Sequence, residues 1–136
     1  MIEKDLIEIY KDNTFLLKTE TDDLWFSLNN PLDKVHYKNK FAILTAWNPN
    51  NKPTSDTENQ EANEMLRIDL KEYTILDSMG KYKEHQEVSY LVYDISFEDT
   101  LALGVKYKQY SVFYNDTNEL SYIECSSQRI LVSKKL

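Results

Sequence analysis

Residues 41–47, Phe-Ala-Ile-Leu-Thr-Ala-Trp, form an unbroken, almost wholly apolar run of strand length that stops at Asn48-Pro49-Asn50-Asn51-Lys52-Pro53. A run of this length bounded by such breakers reads as a central strand of a sheet. Beyond the break, Ser55 and Glu58 form a capping-box pattern, and Ala62, Leu66, Leu70 and Tyr73 recur at helical spacing, which predicts a helix over 56–73. A strand, a sharp turn and an amphipathic helix therefore fix the middle of the chain.

The rest of the chain is read from that unit. Thr74 to Met79 is expected to be a strand ending at Gly80, the polar stretch Lys81 to Gln86 a connection, and Val88 to Ile95 a second strand rich in β-branched and aromatic residues. Ser96 and Asp99 repeat the capping pattern, and Phe97, Leu101, Gly104 and Val105 mark one side of a second helix reaching about Lys108. Tyr110 to Tyr114 and Leu120 to Cys125 flank the turn Asn115-Asp116-Thr117-Asn118 and are expected to pair as a hairpin, with Ile130 to Val132 adding an edge. Upstream, Leu6 to Tyr10, Thr14 to Leu17 and Leu24 to Leu28 read as short strands, and Leu32 to Tyr37 as a helical turn.

The order from Phe41 is then β-α-β-β-α-β-β. Its first six elements match a ferredoxin-like split β-α-β plan: an α+β antiparallel sheet with two helices on one face, here with extra N-terminal strands. The alternative is a different α+β sheet with the N-terminal strands inserted. A length of 136 residues suits one domain, divided into N-terminal strands and turn (1–40), core (41–125) and C-terminal edge or tail (126–136). Both helices are expected to cover one sheet face, which places Leu66, Leu70, Leu91, Leu101 and Val105 in one core.

Composition removes several classes of function. Sixteen Lys and Arg against twenty-three Asp and Glu give a net charge of -7, which disfavours nucleic acid and anionic membrane as partners. Only Gly80 and Gly104 are glycines, too few for a phosphate-cradling loop. Cys125 is the sole cysteine, and His36 and His85 are far apart, so neither a disulfide, a metal site nor a cofactor is expected. The stretch from Met1 to Leu6 lacks a signal peptide's positive flank and apolar run, and no long apolar segment follows, so a cytoplasmic location is expected.

The first helix carries an anomaly: Asn59 and Asn63 share the stripe of Leu66, Leu70 and Tyr73, so its inward side becomes amide-bearing near the N-terminus. Buried amides need partners, either loop carbonyls in a structural network or a ligand in a polar pocket. In the split plan one edge of the sheet gathers Asn48, Asn59, Asn63, Gly80, Glu87, Ser89 and Gln109, with the positive end of the first helix beside them. Such an edge suits a small polar or anionic ligand held by Asn48, Asn59, Asn63, Ser89 and Gln109. Among these groups Glu87, a carboxylate at the start of an apolar strand beside amides, is the candidate general base. Ser89 has no evident base for nucleophilic work, His85 reads as solvent-exposed, and Cys125 reads as a small buried residue.

Thr45-Ala46-Trp47-Asn48-Pro49, followed by Asn59-x-x-x-Asn63, Glu87-Val88-Ser89 and Gln109, resembles the bacterial family filed as domain of unknown function 3293. Order and spacing match over about residues 41–125, and the segment from Tyr10 to Leu17 resembles the family's lead-in. The resemblance implies a small single-domain bacterial protein and no mechanism, so whether the chain is an enzyme stays open. Two other classes stand beside ligand binding. One is an interaction module, binding a protein partner or a second copy, that uses an aromatic sheet or edge strand and draws on Tyr90, Tyr93, Tyr110, Tyr114 and Tyr122. The other is an RNA-binding sheet, which the net charge and the missing glycine-aromatic signature oppose.

Overall fold

The structure, a computed structural model, describes residues 3–136. Met1 and Ile2, part of the N-terminal stretch read above, lie outside the described residues. The chain runs through helix α1 (Glu3–Asp12), strands β1 (Thr14–Lys18) and β2 (Asp23–Phe26), and a 3-10 turn (Lys34–Tyr37). Strand β3 (Phe41–Leu44) and helix α2 (Asp56–Asp69) follow, then strands β4 (Thr74–Tyr82) and β5 (His85–Tyr93). Helix α3 (Phe97–Lys106) leads into strands β6 (Ser111–Asn115), β7 (Glu119–Glu124) and β8 (Ile130–Lys135). Both capping serines act as their spacing predicts: the Ser55 hydroxyl accepts from the Glu58 N–H, and the Ser96 hydroxyl from the Asp99 N–H.

The eight strands form one antiparallel sheet in the order β2-β1-β4-β5-β3-β6-β7-β8, making an α+β fold in which β3 is an interior strand with all four residues buried. Alternation along the strands divides the sheet into two apolar faces. Ala42, Leu44, Tyr90, Val92, Val112 and Tyr114 meet Leu66 and Leu70 near the end of α2 and Leu101 of α3 in one core. Phe41, Ile43, Leu91, Phe113 and Tyr122 point the other way and join Phe15, Leu17, Phe26 and Tyr37 in a second. The 26–37 segment closes part of this second face, and α1 lies over another part, with Tyr10 stacked on Tyr122 at 4.3 Å between ring centroids.

Several expectations need correction. Leu6 to Tyr10 is helical, because Leu6, Ile9 and Tyr10 share one helical face and dock it as a unit against the sheet. Helix α2 ends at Asp69, four residues early, because the chain tightens to reach β4: the Leu70 N–H reaches the carbonyls of Leu66 and Arg67, and the Tyr73 N–H that of Leu70. Gly80 does not end its strand. The β4–β5 ladder runs on through Gly80↔Glu87 to Tyr82↔His85, and the turn is confined to Lys83 and Glu84, with Lys83 at φ 53°. The five residues assigned to one core divide: Leu66, Leu70 and Leu101 share it, Leu91 faces the opposite side, and Val105 is 57% exposed, at the margin of the buried stripe of Thr100, Leu101 and Gly104.

Candidate functional site

The loop after β3 is shaped by its asparagines. Asn48, Asn50 and Asn51 adopt left-handed backbone conformations, with φ of 48°, 61° and 57°, which asparagine tolerates better than most residues. Side chains from distant elements then fix it. Asn63 of α2 accepts from the Ala46 N–H at 2.7 Å through Oδ1 and donates from Nδ2 to the Val88 carbonyl at 2.9 Å, joining the loop to β5. One turn earlier, Asn59 accepts from the Asn48 N–H at 2.8 Å and donates to Asn48 Oδ1 at 2.9 Å. Gln109, just after α3, donates from Nε2 to the carbonyls of Trp47 and Tyr107, and the Asn50 N–H reaches the Lys108 carbonyl at 2.7 Å. The amides that look like a pocket wall in the sequence are thus partnered by the chain's own backbone and by one another.

Beside this loop lies a cavity of about 920 Å³ between α1 and the second face of the sheet. Asn48, Gly80, Glu87, Ser89 and Gln109 line it, so five of the seven residues gathered at one edge by the sequence reading share one space; buried Asn59 and Asn63 stand behind, holding the loop. Strand register brings the wall together, since Gly80 pairs with Glu87 and Ser78 with Ser89, and alternation turns Glu87 and Ser89 to the same side as Leu91. The site therefore lies on the face opposite α2 and α3. The sequence reading located an edge, and the face is a finding of the structure. It also missed Leu6, Ile9 and Tyr10, whose helical spacing was the available signal, and Tyr82, Ser111 and Arg129.

The polar groups of the wall differ in how they are partnered. Ser89 is 2% exposed, and its hydroxyl has no hydrogen-bond partner among the described residues, which is costly for a buried hydroxyl. Glu87 Oε1 lies 3.1 Å from His85 Nε2 at the mouth, and the His85 side chain is 57% exposed, in line with its sequence reading. Ser111 donates to the Tyr10 hydroxyl at 2.7 Å. Burial pushes the Tyr10 phenol up to about 12, with the Ser111 hydrogen bond opposing and the nearby Tyr110, Cys125 and Glu87 adding to the rise. Burial likewise raises Tyr122, and it pushes the Cys125 thiol up to about 11, the direction of an inert buried residue rather than a nucleophile. Among the described residues, no three His, Cys, Asp or Glu side chains are grouped so as to hold a metal ion.

The tyrosines counted toward an interaction surface are mainly interior. Tyr90, Tyr114 and Tyr122 are buried, and Tyr93 and Tyr110 are half-buried. No helix among the described residues is long and apolar enough to cross a membrane. No curated protein and no solved structure matches the chain. Residues 44–112 match the family model described as Protein of unknown function (DUF3293), a segment that contains Asn48, Gly80, Glu87, Ser89 and Gln109 of the cavity wall and excludes α1; the chain belongs to that family.

Proposed function

We propose that the chain binds a small polar ligand, of nucleotide or metabolite size, in the cavity between α1 and the sheet. The observation that carries this reading is the convergence of Asn48, Glu87, Ser89 and Gln109 on one apolar-floored space, where the buried Ser89 hydroxyl has no partner among the described residues. Cavities with an aromatic floor and a few fixed polar groups are the usual form of small-molecule sites. Asn59 and Asn63 act in this reading as positioning residues, setting the loop rather than touching the ligand. Glu87 is the group placed to take a proton from a bound molecule, since among the described residues only its Oε1 is engaged, by His85. The antiparallel order β4-β5-β3-β6, reached through α2 and α3, supports reading the core as a ferredoxin-like split β-α-β unit.

An interaction module keeps one supporting observation, the 43% exposed Trp25 on edge strand β2. A thermal-shift screen of nucleotides and metabolites on the wild type and on Gly80→Leu separates the two. A Cβ at Gly80 meets the nearest Phe15 ring carbon at 3.4 Å, an ordinary contact, so a side chain can start there without a backbone clash, and leucine is chosen to take up space in the cavity that Gly80 lines. A ligand at a hundred times its Kd adds about 2.7 kcal/mol of stability. Ligand-binding compounds should raise the melting temperature of the wild type by several degrees and leave Gly80→Leu unmoved. Equal shifts in both proteins, or none in the wild type, would refute the reading.

A further inference from the structure

The cavity's charges and free hydrogen-bonding capacity favour one class of ligand. Glu87 is its only carboxylate among the described lining residues, and among those residues His85, on Oε1, is the one side chain bonded to it, which leaves Oε2 to a ligand. The basic side chains on the wall are His85 and Arg129, and the Arg129 guanidinium already lies 3.7 Å from Glu124 Oε2. Gln109 donates twice within the chain through Nε2, so what it has left to offer is its carbonyl oxygen. Ser89, two residues along β5 from Glu87 and on the same side, adds the unpartnered hydroxyl. These acceptors share the cavity with the rings of Tyr10, Phe15, Phe113 and Tyr122, an aromatic lining suited to an apolar body.

We propose that the ligand is an organic cation, a primary amine on a short aryl or apolar body, with its ammonium between Glu87 and Ser89 and its body against the aromatic floor. This rests on the ligand-binding reading above and replaces the polar or anionic ligand expected from the sequence with a cationic one. An ammonium brings three N–H donors and no acceptor, which complements a carboxylate oxygen, a hydroxyl and an amide carbonyl. The chain's net charge of -7 draws such a ligand in and opposes an anion.

The test uses three probes with one aryl body: phenethylamine, phenethyl alcohol and phenylacetate, titrated into the full chain by calorimetry at pH 8, where an ordinary imidazole is neutral. The amine should bind about tenfold more tightly than the alcohol, the margin expected of a charge-assisted hydrogen bond, and phenylacetate most weakly. Glu87→Gln should erase the amine's advantage over the alcohol. An alcohol or phenylacetate that binds as tightly as the amine would overturn the assignment of charge while leaving the cavity as a binding site. No binding by any of the three would also overturn it, and the wider screen with Gly80→Leu would then decide separately whether the cavity binds anything. The comparison on the wild type needs no variant to fold.

Discussion

Asn63 shows what a single amide does here. Its Oδ1 accepts from Ala46 and its Nδ2 donates to Val88, so both ends are engaged by backbone 17 and 25 residues away in sequence. Aspartate keeps the acceptor but sets a second carboxylate oxygen against the Val88 carbonyl, leaving a buried mismatch worth about 1–3 kcal/mol. Asn63→Asp should therefore melt several degrees lower than the wild type with or without ligand, while the ligand-induced shift persists. A variant that melts normally and loses only that shift would make Asn63 a ligand contact. That this amide faces inward was legible from its stripe with Leu66 and Leu70. Its partners were not, because helical spacing gives a direction and no information on which distant strand lies there.

Two elements set the stability of the cavity's surroundings. Helix α3 approaches the sheet closely at Gly104, where an added Cβ would lie 2.6 Å from Cys125 Sγ and 2.7 Å from Val112 Cγ1. Alanine gains about 1 kcal/mol in helix propensity over glycine, but overpacking two buried side chains typically costs about 1–3 kcal/mol. Gly104→Ala should lower the urea midpoint, and adding Cys125→Ala should restore part of it; an unchanged midpoint would mean that α3 shifts freely on the sheet. Helix α1 is tied down by Tyr10, stacked on Tyr122 and bonded to Ser111. The folded phenol titrates near 12 against an ordinary 10.0, so the unfolded chain loses this proton first as the pH rises. The resulting stability is present in full below pH 10 and is lost as the pH climbs toward 12. Tyr10→Phe should accordingly show a shallower fall in urea midpoint across that window than the wild type, and an identical fall would place the titration elsewhere. This helix escaped the sequence reading because Leu6, Ile7, Ile9 and Tyr10 are too few to separate a period of two from one of 3.6.

At the scale of the whole molecule, one sheet carries two cores, and the ligand site proposed here occupies a partly covered stretch of the second. The interior position of β3, both capped helices and the β6–β7 hairpin were legible because each rests on a local signal: an apolar run, a serine with an acid three residues on, or a polar turn between two apolar runs. The gathering of Asn48, Glu87, Ser89 and Gln109 followed from element order. The face was not legible, since Phe41 to Leu44 are all buried and a strand apolar on both sides does not say which side a helix covers and which holds a cavity. The most direct test is backbone amide chemical-shift mapping of the full chain with a compound that stabilises it. The largest shifts are expected in residues 45–51, 80–89 and 109–111 together with α1. Shifts centred on Trp25 and β2, or on the outer surfaces of α2 and α3, with those segments unmoved, would contradict the account.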